Sequence, residues 1–470
     1  MNNSQKNTQN SSEGFIIEDR VSAKAHNILN NDTLKDFWLN FSHRTSEISF
    51  SETDELIFIV GDVEKPVLDE NSYAISVNKN GACVVAKSEK DLIYGYIKLI
   101  SLIKRNIDGD KPVTKIEKCE IKESPLVKNR MVHFCIFADT ELWELERFVR
   151  FAGALRYTHL VLEFWGMLKY DCLKELAWPH AYAKDDIRPI IKQANELGIE
   201  VIPMFNHWGH AALSRVMHGK HVVLDQNPSL QYYFSSDGWC WDISKEQTRD
   251  LLRKIRLELI ELCGESEYFH IGCDEAYGFD FTEENMDMIC SFINGVSAEM
   301  NAIGKKIIMW GDMLLYNSPD MNPKNKYATS CPDIVTQNYM MSNIDRSVII
   351  GDWQYTAKEY PIETALIFKE AGFTCLICPY DEGDSETDAC MKTIKEHGLF
   401  GIMHTTWHTL SSGMPYVLKV AASCWKDISI VDCDPSVFQT NTATLLRKAY
   451  FVNNCYKKAG WSKHDIGFKW

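Results

Sequence analysis

The run Tyr268-Phe-His-Ile-Gly-Cys-Asp-Glu-Ala-Tyr277 decides how the rest of this chain is read. Its aromatic and aliphatic half reads as a buried strand, and two adjacent carboxylates, Asp274 and Glu275, stand where that strand ends. Apolar strands rarely carry acids, because burying an ionised carboxylate without a partner is unfavourable. Two neighbouring negative charges raise the pKa of at least one, which suits an acid that must hold its proton near neutral pH. The pair is therefore a candidate acid/base centre, and the flanking chain should supply a scaffold that presents it.

Working outward, residues 124–435 alternate between short apolar runs and amphipathic stretches. Strands are predicted at Met131–Phe137, His159–Phe164, Ile199–Phe205, Tyr268–Cys273, Lys306–Trp310, Ser347–Trp353, Phe373–Cys378 and Leu399–His404. Helices are predicted at Glu141–Leu155, Lys184–Leu197, Lys245–Leu262, Glu283–Ala302, Ile362–Ala371 and Pro415–Trp425. The segment between the fifth and sixth strands is ambiguous, since Ile334–Asn338 could also pair as a strand. Eight strand signals alternating with helices fit an α/β fold of the (β/α)8 TIM-barrel type, whose chemistry sits at the C-terminal ends of the strands. Residues 13–123 read as a small α/β domain preceding the barrel. It has strands at Glu55–Gly61, Tyr73–Val77 and Cys83–Ala86 around an Asn80-Gly81 turn, a helix at Glu89–Lys104 and a closing strand at Lys115–Lys122. Residues 1–12 read as a disordered lead-in, and 436–470 as a helical extension packed on the barrel.

The chain has 470 residues and a net charge of −15, which argues against nucleic acid or an anionic membrane as partner. No apolar run reaches the ~18 residues of a membrane span, and the polar start lacks the apolar core of a secretory signal. Fifteen scattered cysteines then read as buried thiols of a cytoplasmic protein. Cys375 and Cys378 form a Cys-x-x-Cys, but they lie inside an apolar run with no matching second pair, so a core role is expected. No metal or other cofactor is called for. A homo-oligomer is compatible with the sequence.

The expected strand mouths are rich in tryptophan and polar groups. They carry Trp165, the run Asn206-His-Trp-Gly-His210, Trp310, Asp312, Asp352, Trp353, Tyr355, Tyr380, Asp381, Trp407 and His408. Indole faces stack on the C–H face of a pyranose while carboxylates bond its hydroxyls, so the ring of mouths reads as a sugar pocket and the acid pair as that of a glycosidase. Two other readings stay open. One is a metal-dependent barrel hydrolase using His207, His210, His218, His221, His404 and His408, although His133 stands alone on the first strand where such barrels carry His-x-His. The other is a glycan-binding barrel without catalysis, which would have no need of both Asp274 and Glu275.

These residues resemble glycoside hydrolase family 20, the β-N-acetylhexosaminidases. His270-Ile-Gly-Cys-Asp-Glu275 resembles the family's His-x-Gly-Gly-Asp-Glu, closest to intracellular members related to hexosaminidase D. Ile202 to Ala211 resembles its Gly-His segment, and Ile308-Met-Trp-Gly-Asp-Met313 its fifth-strand Trp-x-Asp-Met. Arg130 matches the arginine that opens the first strand. The resemblance implies removal of terminal β-linked N-acetylhexosamines by substrate-assisted retention, in which the substrate's acetamide oxygen is the nucleophile. Asp274 would orient the acetamide, and Glu275 would serve as general acid and then base. Arg130, reaching up the barrel, would bind ring hydroxyls. Trp310, Trp353 and Trp407 would wall the pocket, Tyr355 or Tyr380 would donate to the acetamide oxygen, and His210 and His270 would support from behind. Two departures stand out. Trp165-Gly166 follows the second strand where many relatives have acids, and His408-Thr409 follows Trp407 where a glutamate is common.

Overall fold

A computed structural model describes residues 13–108, 111–212, 223–318, 327–380, 384–407, 410, 412–426 and 435–449. The described chain forms two compact units, one of residues 13–125, 196–198 and 443–449, the other of 126–195 and 199–442.

In the first unit a six-stranded sheet runs, in spatial order, Glu47–Thr53, Arg20–His26, Ile57–Gly61, Gly81–Ala86, Tyr73–Asn78 and Cys119–Glu123. Asn78 pairs with Gly81 across the tight turn expected at Asn80-Gly81. Helix Glu89–Ser101, capped by the Ser88 side chain, buries Leu92, Ile93, Tyr96, Ile97 and Ile100, as their spacing predicts. The single closing strand expected at Lys115–Lys122 is two. Lys111–Ile116 joins a separate three-stranded sheet, and Cys119–Glu123 forms an edge of the larger one. No glycine or proline marks that switch, so the sequence gives no punctuation to read.

The second unit is a closed barrel of eight parallel strands: Asn129–Cys135, His159–Glu163, Glu200–Met204, Tyr268–His270, Lys306–Trp310, Ile349–Asp352, Thr374–Ile377 and Gly401–Thr405. The last closes on the first, with Asn129 opposite Gly401 and His133 opposite Thr405. All eight were expected, because strands covered on both faces read as continuous apolar runs. Alternate residues point inward, and Met131, Val161, Ile202, Met204, Ile308, Trp310, Ile349, Leu376 and Met403 pack together as the barrel's core. Cys378 belongs to that core, and burial pushes its thiol and that of Cys375 well above the usual range, as a packing role for the Cys-x-x-Cys requires.

Helices follow the strands as expected. Glu283–Ala302, capped by Thr282 with Glu283 and Glu284 in its first turn, is the longest. Residues 334–343 are helical rather than a ninth strand, because the Asp333 side chain accepts the Thr336 N–H and opens a helix at Ile334–Asn343. The C-terminal helix spans Pro435–Ala449, but from Ala443 onward it belongs to the first unit, where the Lys448 ammonium lies 5.0 Å from the Phe41 ring centroid. This differs from the expected packing of the whole extension on the barrel. The lead-in 1–12, His218, His221, Asp381, His408 and Thr409 lie outside the described residues.

Candidate active site

The fourth strand stops at His270, and the chain then takes left-handed conformations at Gly272 (φ 65°), Cys273 (74°) and Glu275 (44°). Such conformations are unfavourable for residues with a Cβ and persist only where the surroundings hold them. His210, Trp165 and Trp407, at other strand mouths, share the same region. Here the irregular turn has a visible consequence. Side chains of adjacent residues would point to opposite faces of a regular strand, yet Asp274 and Glu275 face one group. His210 Nε2 lies 3.4 Å from an Asp274 carboxylate oxygen and 3.0 Å from one of Glu275.

Four further contacts fix the turn. The Glu275 N–H donates to Asp312 Oδ2 at 2.9 Å, and the Ala276 N–H to Met313 Sδ at 3.3 Å. Trp239 Nε1 donates to the Glu275 carbonyl, and the Tyr277 hydroxyl to Glu275 Oε1. Two glycines allow this proximity. A Cβ at Gly209 would stand 2.0 Å from the Asp274 carbonyl oxygen, and one at Gly272 would stand 1.6 Å from Asn206 Oδ1. Asp274 is almost fully buried, whereas the Glu275 side chain keeps 23% of its surface exposed.

Aromatic residues of several strand mouths lie against one another. Trp310 and Trp407 lie 5.6 Å apart by ring centroid, and Tyr355 lies 5.1 Å from both Trp353 and Tyr380. Trp407 Nε1 donates to the Tyr355 phenol oxygen at 2.6 Å. Burial pushes that phenol well above its ordinary range, so it stays a neutral donor, and Asp274 is among the charges that act on it. Trp353 Nε1 donates to Asp312 Oδ1 at 3.1 Å. His270, fully buried against Trp310, accepts the Gly272 N–H at Nδ1. Burial and the nearby His133 depress its imidazole to about 3, which leaves it neutral.

Arg130 is a correction. On the first strand Met131 and His133 point inward, so Arg130 belongs to the outward set, and it stands at the foot of the strand. Its guanidinium donates to the carbonyls of Val127, Lys128 and Arg156 and lies 4.6 Å from the Trp425 ring centroid. It closes the bottom of the barrel, away from the strand mouths, and cannot hold ring hydroxyls from there. Arg130→Ala should therefore lower unfolding free energy by about 3 kcal/mol, since two buried carbonyls and a part-buried one lose their donor. Chemical denaturation would measure that loss. The KM of the folded variant should stay within about twofold of wild type; a large rise in KM at unchanged stability would restore the sugar-binding role.

Sequence reasoning missed Glu163. It ends the second strand, is 1% exposed, accepts Asn206 Nδ2 at 3.0 Å and lies 2.9 Å from His133 Nε2. An acid inside an apolar strand is the same signal that marked Asp274 and Glu275. His133 is thus paired rather than alone, and it lies edge-on to Trp407 at 4.8 Å. Trp165 fills the position after this strand. It packs against Cys135 and Phe137 and lies 6.1 Å from the His210 ring. Among the described residues the one grouping of metal-ligand type is His133, Cys135 and Glu163, which contains none of the six histidines of the metal-hydrolase reading. Of those six, His207 is buried with its imidazole pushed well below the usual range, chiefly by desolvation, and His210 faces the acids.

Fold and site together define a (β/α)8 barrel with a pair of carboxylates at the end of its fourth strand. Residues 159–381 match the glycosyl hydrolase family 20 catalytic domain. The chain is 22% identical over 335 residues to a lacto-N-biosidase of Bifidobacterium bifidum, covering 65% of this chain and 28% of that protein. It is 26% identical over 175 residues to hexosaminidase D of Bos taurus, covering 34% of this chain and 48% of that protein. The chain thus spans about half or less of the length of these curated relatives. Among solved structures it resembles an exo β-N-acetylglucosaminidase of Vibrio harveyi in complex with N-acetylglucosamine, at TM-score 0.65 and 14% identity, covering 93% of this chain and 75% of the other. It also resembles a mutant Streptomyces plicatus β-hexosaminidase in complex with GlcNAc, at TM-score 0.65 and 14% identity, covering 97% and 93%. At such identities the likeness shows the fold.

Proposed function

We propose that this protein is an exo-acting, retaining β-N-acetylhexosaminidase that removes terminal β-linked GlcNAc- or GalNAc-type sugars through an oxazolinium intermediate. The observation that carries the reading is the convergence of Asp274 and Glu275, neighbours in sequence, on the one His210 Nε2. Carboxylates set this way do not stand on opposite faces of a sugar as separate acid and nucleophile. The nucleophile then comes from the substrate. The partly exposed Glu275 reaches the leaving oxygen as acid and later takes a proton from water, assisted by Tyr277 and His210. The buried Asp274 accepts the acetamide N–H and balances the positive charge that develops on the ring. Trp310, Trp353 and Trp407 enclose the acetamide.

The Tyr355 phenol receives the Trp407 indole hydrogen, so its own O–H is available to the acetamide oxygen. Removing it in Tyr355→Phe should lower kcat/KM by about 10²-fold on an aryl β-GlcNAc, as for other single donors at a developing charge. An unchanged rate would move this role to Tyr380. The reading as a whole is tested with aryl β-glycosides of GlcNAc, GalNAc and their non-acetylated parents. Substrate assistance makes the parents far poorer, and equal rates on glucose and GlcNAc overturn it.

A reducing, cytoplasmic setting is part of the proposal. It is supported by thirteen described cysteines that are all thiols, several of them pushed up to about 12 by burial. The partner is the carbohydrate itself, and the net charge of −15 makes nucleic acid an unfavourable one.

A further inference from the structure

We infer that Asp312 is a positioning residue whose single carboxylate holds both the turn that carries Glu275 and the indole wall formed by Trp353. It follows the fifth strand in a short helical turn, Asp312–Leu314, and is 2% exposed. Its two oxygens do separate jobs. Oδ2 accepts the Glu275 backbone N–H at 2.9 Å, with the Ser330 hydroxyl at 3.4 Å, and Oδ1 accepts Trp353 Nε1–H at 3.1 Å. Every one of these partners is a donor. An ionised carboxylate can accept from all of them, whereas a protonated carboxyl or an amide turns one oxygen position into a donor. Losing either bond frees the strained backbone beside the acid or the wall of the pocket.

Burial, reinforced by the neighbouring Glu275 charge, raises the Asp312 carboxyl to about 7, although the donated hydrogen bonds oppose the shift. The titratable group whose charge acts on it is Glu275 on the fourth-strand turn, and its own charge acts on two thiols, Cys273 on that turn and Cys331. Burial keeps both thiols protonated far above neutral pH. Among the described residues no lysine or arginine forms an ion pair with Asp312. Above pH 7 both bonds are therefore intact, and one is lost as pH falls through that value.

The kinetic consequence rests on the hexosaminidase reading; the structural one does not. Asp312→Asn should lower kcat/KM on an aryl β-GlcNAc by about 10- to 100-fold, the range for a partner that orients a reacting group. It should also abolish the fall in activity expected of wild type below pH 7. Trp353→Phe, which keeps a ring but loses the N–H, should raise KM and leave that fall in place. The Trp353 contribution to fluorescence, taken as wild type minus Trp353→Phe, should change with a midpoint near pH 7. Asp312→Asn should lose this transition, and Glu275→Gln, which removes the neighbouring charge, should move it to lower pH.

Wild-type kcat/KM and an unchanged acid limb in a folded Asp312→Asn overturn the role. A fluorescence transition that survives Asp312→Asn overturns it as well. If Asp312→Asn does not fold, the midpoint in Glu275→Gln decides, and an unmoved midpoint overturns the inference. If wild type turns over no N-acetylhexosaminide, the hexosaminidase reading fails and the fluorescence titration alone judges Asp312.

Discussion

Glu275→Gln is expected to reduce kcat on β-GlcNAc glycosides with basic leaving groups by about 10³-fold, within the range for loss of a general acid. The effect should depend on the leaving group. Gln cannot deliver a proton to the departing oxygen, so a glycoside of a simple alcohol suffers most. A strongly acidic phenol leaves without help, so its first step survives, and the remaining deficit lies in activating water for the second. The fold should tolerate the change, because the backbone N–H that Asp312 receives, the carbonyl that Trp239 approaches and the left-handed backbone all remain. Steady-state kinetics across a series of aryl and alkyl leaving groups would show the trend. A uniform loss across the series would remove Glu275 from the acid role.

Asp274→Asn should cost about 10²- to 10³-fold in kcat with little change in KM, because its charge is needed chiefly when the ring becomes positive. The amide oxygen can still accept the acetamide N–H, but the side chain carries no negative charge. Affinity for a stable cationic analogue of the oxazolinium should fall in parallel with kcat. Affinity for neutral GlcNAc should fall much less. Full activity in this variant would exclude Asp274 from the reaction, and an equal loss for both ligands would make it a simple binding residue.

Much of this architecture was legible in the chain. The eight barrel strands could be placed because each is apolar throughout, and the acid pair because ionisable groups are conspicuous at the end of such a run. The tryptophan and tyrosine mouths followed once the strands were in place. Side-chain direction was harder. Arg130 matched a motif by position, but one residue of strand parity sends it outward, and the carbonyls of Val127, Lys128 and Arg156 and the Trp425 face at the barrel's foot hold it there. Glu163 was overlooked for the opposite reason. The positions where acids were expected follow the second strand, where Trp165 stands, whereas this acid ends the strand itself and meets His133 across the pairing of the first two strands. The break between Ile116 and Cys119 carried no local signal at all.

The close approach at Gly209 reaches beyond local packing. With room for no side chain between position 209 and the Asp274 carbonyl, the loop that carries His210 and the turn that carries both acids meet backbone to backbone. Asn206 is fitted to Gly272 in the same way, and the His207 N–H donates to the Ile271 carbonyl at 2.8 Å. Two stretches more than sixty residues apart are therefore one inseparable part. To transplant this chemistry into another barrel, residues 206–210 and 271–276 would have to travel together, because neither keeps its shape once the other is exchanged.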